Sequence, residues 1–394
     1  MFYLLLFFLL LLFAIPDLSV GRRNKLKAQL FLASVVVLTF VAGLRWETGV
    51  DWLVYTEMFG YAPTLGTPNF FSQFPSLDVG YWLLMSIIKT LGGGIQLVFL
   101  TIAIASFTFL CKALKTYTPY KNISLLLYFC MVFFVLDMSG IRQALALNIF
   151  FYSIQYIKSR NFKKYLLFTL LAFSFHWSSL IFLPIYFILN RRLSTRTGVI
   201  FFMVCVFIAI FQVQWFGYLL GTISNIVGDE LYLRIQFYTQ DSVFAAQRTI
   251  GLGAIALICI FLPLCLYREK LEKQYPYFNI YFNLFLLQAL VVFALFEFVE
   301  ISGRLVFYFS LSTIIVLPYL IHLLKGIASK TIFFFLVVFY GFFVARIYLL
   351  SDERAIAYTP YQNYIIHRVI LNRESDGAER VRKHEENFMR TMQQ

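Results

Sequence analysis

Between residues 43 and 52 the chain reads GLRWETGVDW, so Arg45, Glu47 and Asp51 crowd together directly after an apolar run from Ala28 to Leu44. A carboxylate there can accept a proton from an attacking hydroxyl, and a guanidinium can hold phosphate oxygens in a two-point fork. If 46–59 is helical, Glu47, Asp51 and Tyr55 recur at every fourth position and share a face. Gly49 opposes that helix, and a charged re-entry loop capping the bundle is the alternative. Further on, Arg142 begins the run RQALALNIFF, Arg304 follows EISG and begins RLVFYFSLS, and His176 lies between apolar runs in SFHWSSLIFLP. An anionic lipid headgroup lies at the depth of such run ends, and a helix N-terminus adds favourable partial charge for it. There is no His/Cys cluster, DxD, glycine-rich phosphate loop or GxSxG. Asp51 and Asp78 could bind a divalent cation, but their spacing does not demand one, and no metal or other cofactor is expected.

The elements that must position these groups are membrane helices. Of 394 residues 60% are hydrophobic, 47 are Phe, and only 13% are charged, about half the share of a soluble domain. Apolar runs near the length needed to cross a bilayer recur along the chain. The opening MFYLLLFFLLLLFAIP lacks a basic n-region and a small-residue cleavage site, so it reads as a first spanning helix rather than a signal peptide. The spacing predicts helices over about 1–16, 28–44, 94–111, 122–136, 141–157, 165–176, 178–190, 198–218, 249–267, 279–297, 304–324 and 330–350, an all-α polytopic protein with about twelve crossings. Residues 1–350 form the membrane domain, to whose site loops 45–93 and 219–248 contribute. Residues 351–394 form a polar tail, helical and mobile towards its end. The five cysteines imply neither a metal site nor a disulfide framework.

Charge supplies the orientation. The net charge of +13 is spread in short clusters between apolar runs, which argues against nucleic acid. Segments 17–27, 112–121, 158–164, 191–196, 268–274 and 325–330 hold nineteen Lys/Arg and three acids. The alternate set, 45–78, 137–142, 176–178, 219–248 and 297–304, holds ten acids and five basic residues, all arginine: Arg45, Arg142, Arg234, Arg248 and Arg304. The first set is cytoplasmic by the positive-inside rule, and the N-terminus is outside. This alternation requires GYWLLMSIIKTLGGG to stay on the outer face. Outer short loops that hold five arginines and no lysine suit desolvated phosphate better than lysine would.

Each candidate has an ordinary structural reading. Arginines at helix ends serve as anchors or ion-pair partners, Arg45 with Glu47 or Asp51, Arg304 with Glu300. The tryptophans suit an interfacial aromatic belt, and a lone His beside Trp is commonly structural. Co-location of Arg45, Arg142, His176 and Arg304 on one face favours the functional reading.

These blocks resemble a known family. GLRWETGVDWLVYTEMF, LDVGYWLLMSIIKTLGG, SGIRQALALNIFFYSIQY, FHWSSLIFLPIYF, GRLVFYF and YTPYQNY, in this order over about residues 30 to 365, resemble the EpsG-family, Wzy-type exopolysaccharide and O-antigen polymerases. The resemblance implies a glycosyltransferase of GT-C-like architecture in the bacterial inner (cytoplasmic) membrane. It would transfer a polysaccharide from undecaprenyl diphosphate to the next lipid-linked repeat unit on the periplasmic or outer face, without nucleotide sugar or metal. Its partners would be lipid-linked oligosaccharide donor and acceptor, the bilayer and a chain-length regulator. Matching positions are Arg45, Gly49, Asp51, Tyr55, Asp78, Gly80, Tyr81, Arg142, Gln143, His176, Arg304 and Pro360–Tyr361. Under this reading Arg142 and Arg304, then Arg45 and Arg248, hold the diphosphate. Asp51, then His176, then Glu47, serve as base. Trp52, Tyr55, Asp78, Tyr81, Gln143 and Tyr361 contact substrate. The polar tail departs from the family pattern. An O-antigen ligase with the same donor, and a flippase for the same lipid, are the alternatives; few mid-helix charges speak against the flippase.

Overall fold

A computed structural model describes residues 1–19, 24–75, 77–219, 222, 251–297, 299–351 and 354–392. Its elements are helical, and among the described residues no strand is longer than the isolated bridge between Arg45 and Asn363. In chain order the helices are α1 (Phe2–Ala14), α2 (Asn24–Gly43), α3 (Trp52–Tyr61), α4 (Val79–Thr90), α5 (Ile95–Tyr117), α6 (Lys121–Tyr128), α7 (Ile141–Lys158), α8 (Phe162–Phe175), α9 (Phe182–Leu189), α10 (Thr195–Ile210), α11 (Leu252–Leu266), α12 (Arg268–Gln274), α13 (Phe278–Ala289), α14 (Val299–Leu323), α15 (Ile327–Leu350) and α16 (Gly377–Met392).

Among the described residues four helices are long and apolar enough to cross a bilayer: Asn24–Gly43, Ile95–Tyr117, Ser302–Leu323 and Ile327–Leu350. A fifth span results if α11 and α12, bent by 76° at Tyr267, count as one. Several other predicted runs form shorter apolar helices, among them Lys121–Phe133, Thr195–Ile210 and Phe278–Ala294. At 1.5 Å per residue, helices of 10–17 residues reach at most about 26 Å, short of a hydrocarbon layer about 30 Å thick. Two of these runs end in π-helical turns, at Phe129–Phe133 and Leu290–Ala294.

The chain divides into two compact units. The first comprises Met1–Tyr186 and Ile321–Gln394. Its helices approach closely where side chains are small, as dispersion-driven association in lipid requires. A Cβ on Gly43 would lie 3.1 Å from Leu100 Cα, and one on Gly80 would lie 2.5 Å from Ser174 Oγ. At one end the Asp17 carboxylate caps α6, accepting from the amides of Asn122 at 2.9 Å and Ile123 at 3.3 Å. His322 reaches the Asp17 carbonyl at 3.2 Å and stacks on Tyr120. At the other end Gln96 donates to Gly43 O at 2.8 Å, and Tyr364 N donates to Leu44 O at 2.7 Å.

Helix α4 begins and finishes at this second end. Asp78 at its start meets Trp177, and Lys89 near its finish donates to the carbonyls of Phe59, Gly60 and Ala62 at 3.1, 2.7 and 2.7 Å. An apolar groove of about 510 Å³ lies between α1 and α2, lined in part by Phe2, Leu5, Val36, Phe40 and Tyr361.

The second unit, Phe187–Leu320, is tied by polar contacts at its helix ends. Asn283 Nδ2 donates to Leu189 O and Arg191 O at 2.9 and 2.7 Å. Arg268 and Arg192 both pair with Glu272. Glu297 accepts from the amides of Phe216 and Gly217, each at 2.8 Å. Phe202 stacks on Phe261 in its interior.

Candidate functional site

The stretch 45–51 is a loop, not the first turns of a helix. Glu47 has φ 47° and Gly49 φ 104°, both left-handed, so helix α3 starts only at Trp52. The expected helical face shared by Glu47, Asp51 and Tyr55 is therefore absent; only Asp51 and Tyr55 keep helical spacing. Gly49 is required here on two counts. Its φ suits glycine, and a Cβ would stand 1.9 Å from Met138 O. The loop is locked to two distant segments. Val50 N donates to Ser139 Oγ at 3.0 Å, Ser139 Oγ lies 2.9 Å from the Tyr358 hydroxyl, and Gly49 N donates to Ala357 O at 2.9 Å.

Arg45 is 1% exposed. Its Nη1 donates to Ala42 O at 2.6 Å, its Nε to Thr48 O at 3.2 Å, and its guanidinium lies 4.5 Å from the centre of the Phe99 ring. Two carbonyls and a ring face offset part of the several kcal/mol that a buried cation costs, roughly. Arg45 thus closes the loop from within.

Asp78 and Arg142 form the charged centre of the first unit. Asp78, left-handed at φ 59° and 7% exposed, precedes α4. Its Oδ2 lies 2.6 Å from Arg142 Nη1, and its Oδ1 accepts from the Trp177 amide at 2.9 Å. Arg142, second residue of α7, sits 5.6 Å from the rings of both Tyr55 and Tyr81, which meet edge to face at 5.7 Å. The Arg142 side chain keeps a quarter of its surface exposed, while its buried Nε has no hydrogen-bond partner. Burial pushes the Asp78 carboxyl above its ordinary value against the opposing pull of Arg142 and the Trp177 amide. Burial, then the nearby Asp51 charge, pushes the Tyr55 phenol up to about 12. One fork of Arg142 is thus engaged by a carboxylate, and the remaining guanidinium edge can take a phosphate oxygen.

The turn that presents Arg142 is held by a buried polar network. Asp137 accepts from Tyr128 OH at 2.8 Å and from Ser106 Oγ at 3.3 Å, and Asn148 Nδ2 donates to Tyr128 OH and Ser106 Oγ, each at 2.8 Å. Such networks specify one arrangement when satisfied.

The remaining candidates fall as follows. His176 is buried at the end of α8, next to the Trp177 amide that binds Asp78. Asp51 is half-buried at the start of α3, Trp52 is buried on α3, and Gln143 is buried beside Arg142 on α7. Tyr361 stacks on Phe2 at 4.3 Å and donates to Val41 O at 3.1 Å, so one ring face is covered. Glu47 lies against the start of α16, and its carbonyl accepts from Arg380 Nη2 at 3.0 Å. The tail expected to be mobile includes this docked helix. Arg304 belongs to the second unit; it is exposed and stands in the second turn of α14, which begins at Val299 rather than at Arg304. Arg248 and the loop 219–248 lie almost wholly outside the described residues.

Ser139, Tyr358 and Arg380 were missed from the sequence; Ser139 heads the block SGIRQALALNIFFYSIQY and Tyr358 the block YTPYQNY, so both carried a signal that could have found them, while Arg380 carried none. The EpsG family model matches residues 29–363. No curated protein and no solved structure matches the chain.

Proposed function

The chain belongs to the EpsG family, whose members are Wzy-type polymerases, and from that premise we propose that it joins undecaprenyl-diphosphate-linked oligosaccharide repeat units at the outer face of the inner membrane, with a GT-C-like architecture. The observation that carries the site assignment is the Arg142 guanidinium, oriented by Asp78 at 2.6 Å and bordered by Tyr55 and Tyr81.

In the proposed reaction an acceptor hydroxyl oxygen attacks the anomeric carbon of the donor. The anomeric C–O bond breaks, and its electron pair leaves on the diphosphate. Negative charge grows there as the bond lengthens, so a preplaced guanidinium stabilises the transition state more than the ground state. Arg142 fills that role in the first unit, with Arg304 a second candidate. Arg45 supports the loop instead, because its guanidinium is buried, its Nε and Nη1 donate to backbone carbonyls and its face lies on Phe99. Asp51 takes the hydroxyl proton, with His176 second; Glu47 ranks last because it lies against α16. Tyr55 and Tyr81 shape the sugar-facing wall. The apolar groove beside α1 and α2 suits a polyprenyl tail.

Removing the Arg142 fork should lower turnover about 10²–10³-fold, by analogy with a lost oxyanion donor. Purified Arg142→Ala and Arg304→Ala chains are tested for extension of lipid-linked repeats at equal protein levels. Near-normal product lengths from both variants would reject the assignment.

A further inference from the structure

The family match ends at residue 363, yet the residues beyond it turn back onto the 45–51 loop. Ser375 Oγ donates to Gln362 Oε1 at 2.8 Å, and Gln362 Nε2 donates to Asp376 Oδ1 at 3.0 Å. Helix α16 then places Arg380 in the interior, 5% exposed. All three of its nitrogens donate: Nε to Asp376 Oδ1 at 2.9 Å, Nη1 to Pro360 O at 3.3 Å and Nη2 to Glu47 O at 3.0 Å. The approach is close enough that a Cβ on Gly377 would stand 2.6 Å from Glu47 O. On the other side of the same loop, Trp46 N donates to Gln362 O at 2.8 Å and Gly49 N to Ala357 O at 2.9 Å.

Glu47 is a non-glycine residue in a left-handed conformation. Such a conformation is unfavourable for a residue with a side chain and persists only where its surroundings hold it. Its carbonyl is held by a guanidinium from a part of the chain outside the family match, four residues before Asp51.

We infer that α16 is a clasp on the acceptor side of the site, and that Arg380 is a positioning residue for Asp51, acting through the Glu47 carbonyl. This rests on the reading of Asp51 as the base. Without Arg380 the loop loses a three-way tie among Glu47, Pro360 and Asp376, and the carboxylate is no longer held in one place. Misplacement by about 1 Å can cost up to 10²-fold in rate. A loss of about tenfold in kcat is expected for Arg380→Ala, with KM for the lipid-linked donor unchanged because Arg142 is untouched. Arg380→Lys, with a single ammonium in place of the fork, recovers part of the rate.

The test uses the full-length chain in lipid nanodiscs and its variants Arg380→Ala and Arg380→Lys. Amide hydrogen exchange at Trp46 and Gly49 is read together with extension kinetics. Faster exchange confined to 45–51 and 355–364, with the kcat loss and partial rescue by lysine, supports the clasp. Unchanged exchange at both amides overturns it, as does faster exchange throughout α2 and α5, which marks general loss of fold. Faster exchange with unchanged kcat overturns the positioning role. Failure of the polymerase reading itself shows separately, as no extension of lipid-linked repeats by the parent chain.

Discussion

At the scale of the residue, the Asp78–Arg142 pair carries the most consequence. Asp78→Asn keeps an acceptor for the Trp177 amide but removes the charge that orients Arg142. Turnover should fall by roughly tenfold or more, less than for Arg142→Ala, since truncating the fork removes the charge itself. The pair also predicts a pH dependence. Burial raises the Asp78 carboxyl in the folded chain. A folded pKa above the unfolded one means that the folded state binds the proton more readily, so protonation of this group favours the fold. Acidification should therefore remove the ion pair, and activity with it, before the chain unfolds. The acid limb of the rate profile should sit above the range of an ordinary carboxylate. Rate profiles of the parent chain and Asp78→Asn check this: a limb of identical position in both would reject the assignment.

At the scale of the element, the turns between helices matter more than the helices. The 45–51 loop exists because Gly49 breaks the helix that apolar spacing would have extended, and it can approach Met138 only without a side chain. Gly49→Ala adds backbone strain and overpacking, roughly 1–3 kcal/mol each. Reduced folded yield and a lower melting temperature by scanning fluorimetry are expected. Gly80→Ala should behave similarly, because Ser174 backbone and side chain stand in the way. The turn before α7 depends on the Tyr128–Asp137–Asn148–Ser106 network. Tyr128→Phe strips one donor from Asp137 and one acceptor from Asn148, at a cost of about 1–3 kcal/mol. Loss of thermal stability within that range, accompanied by loss of turnover, is the expected outcome.

At the scale of the whole molecule, the chain is a membrane-embedded helical protein of a polymerase family, and its orientation can be tested directly. Thr64, in the loop after α3, and Thr116, near the end of α5, are both exposed. Single cysteines at these positions, in a chain freed of its five native cysteines, should react from opposite sides with an impermeant maleimide in intact cells, Thr64→Cys outside. Equal labelling of both would overturn the proposed alternation of loops. The membrane class, the approximate helix positions and the family were legible in sequence, because apolar run length, loop charge and short motif blocks are local properties. Arg45, Asp78 and Arg142 were legible as candidates on the same grounds, but their division of labour was not. Residue type does not say that Arg45 turns inward to Ala42 and Phe99 while Arg142 is met by a carboxylate 64 positions away. Nor does a mixed-charge tail say that Arg380 reaches a carbonyl 333 positions back. Those choices are made when segments distant in the chain pack together and buried polar groups take their partners from whatever surrounds them.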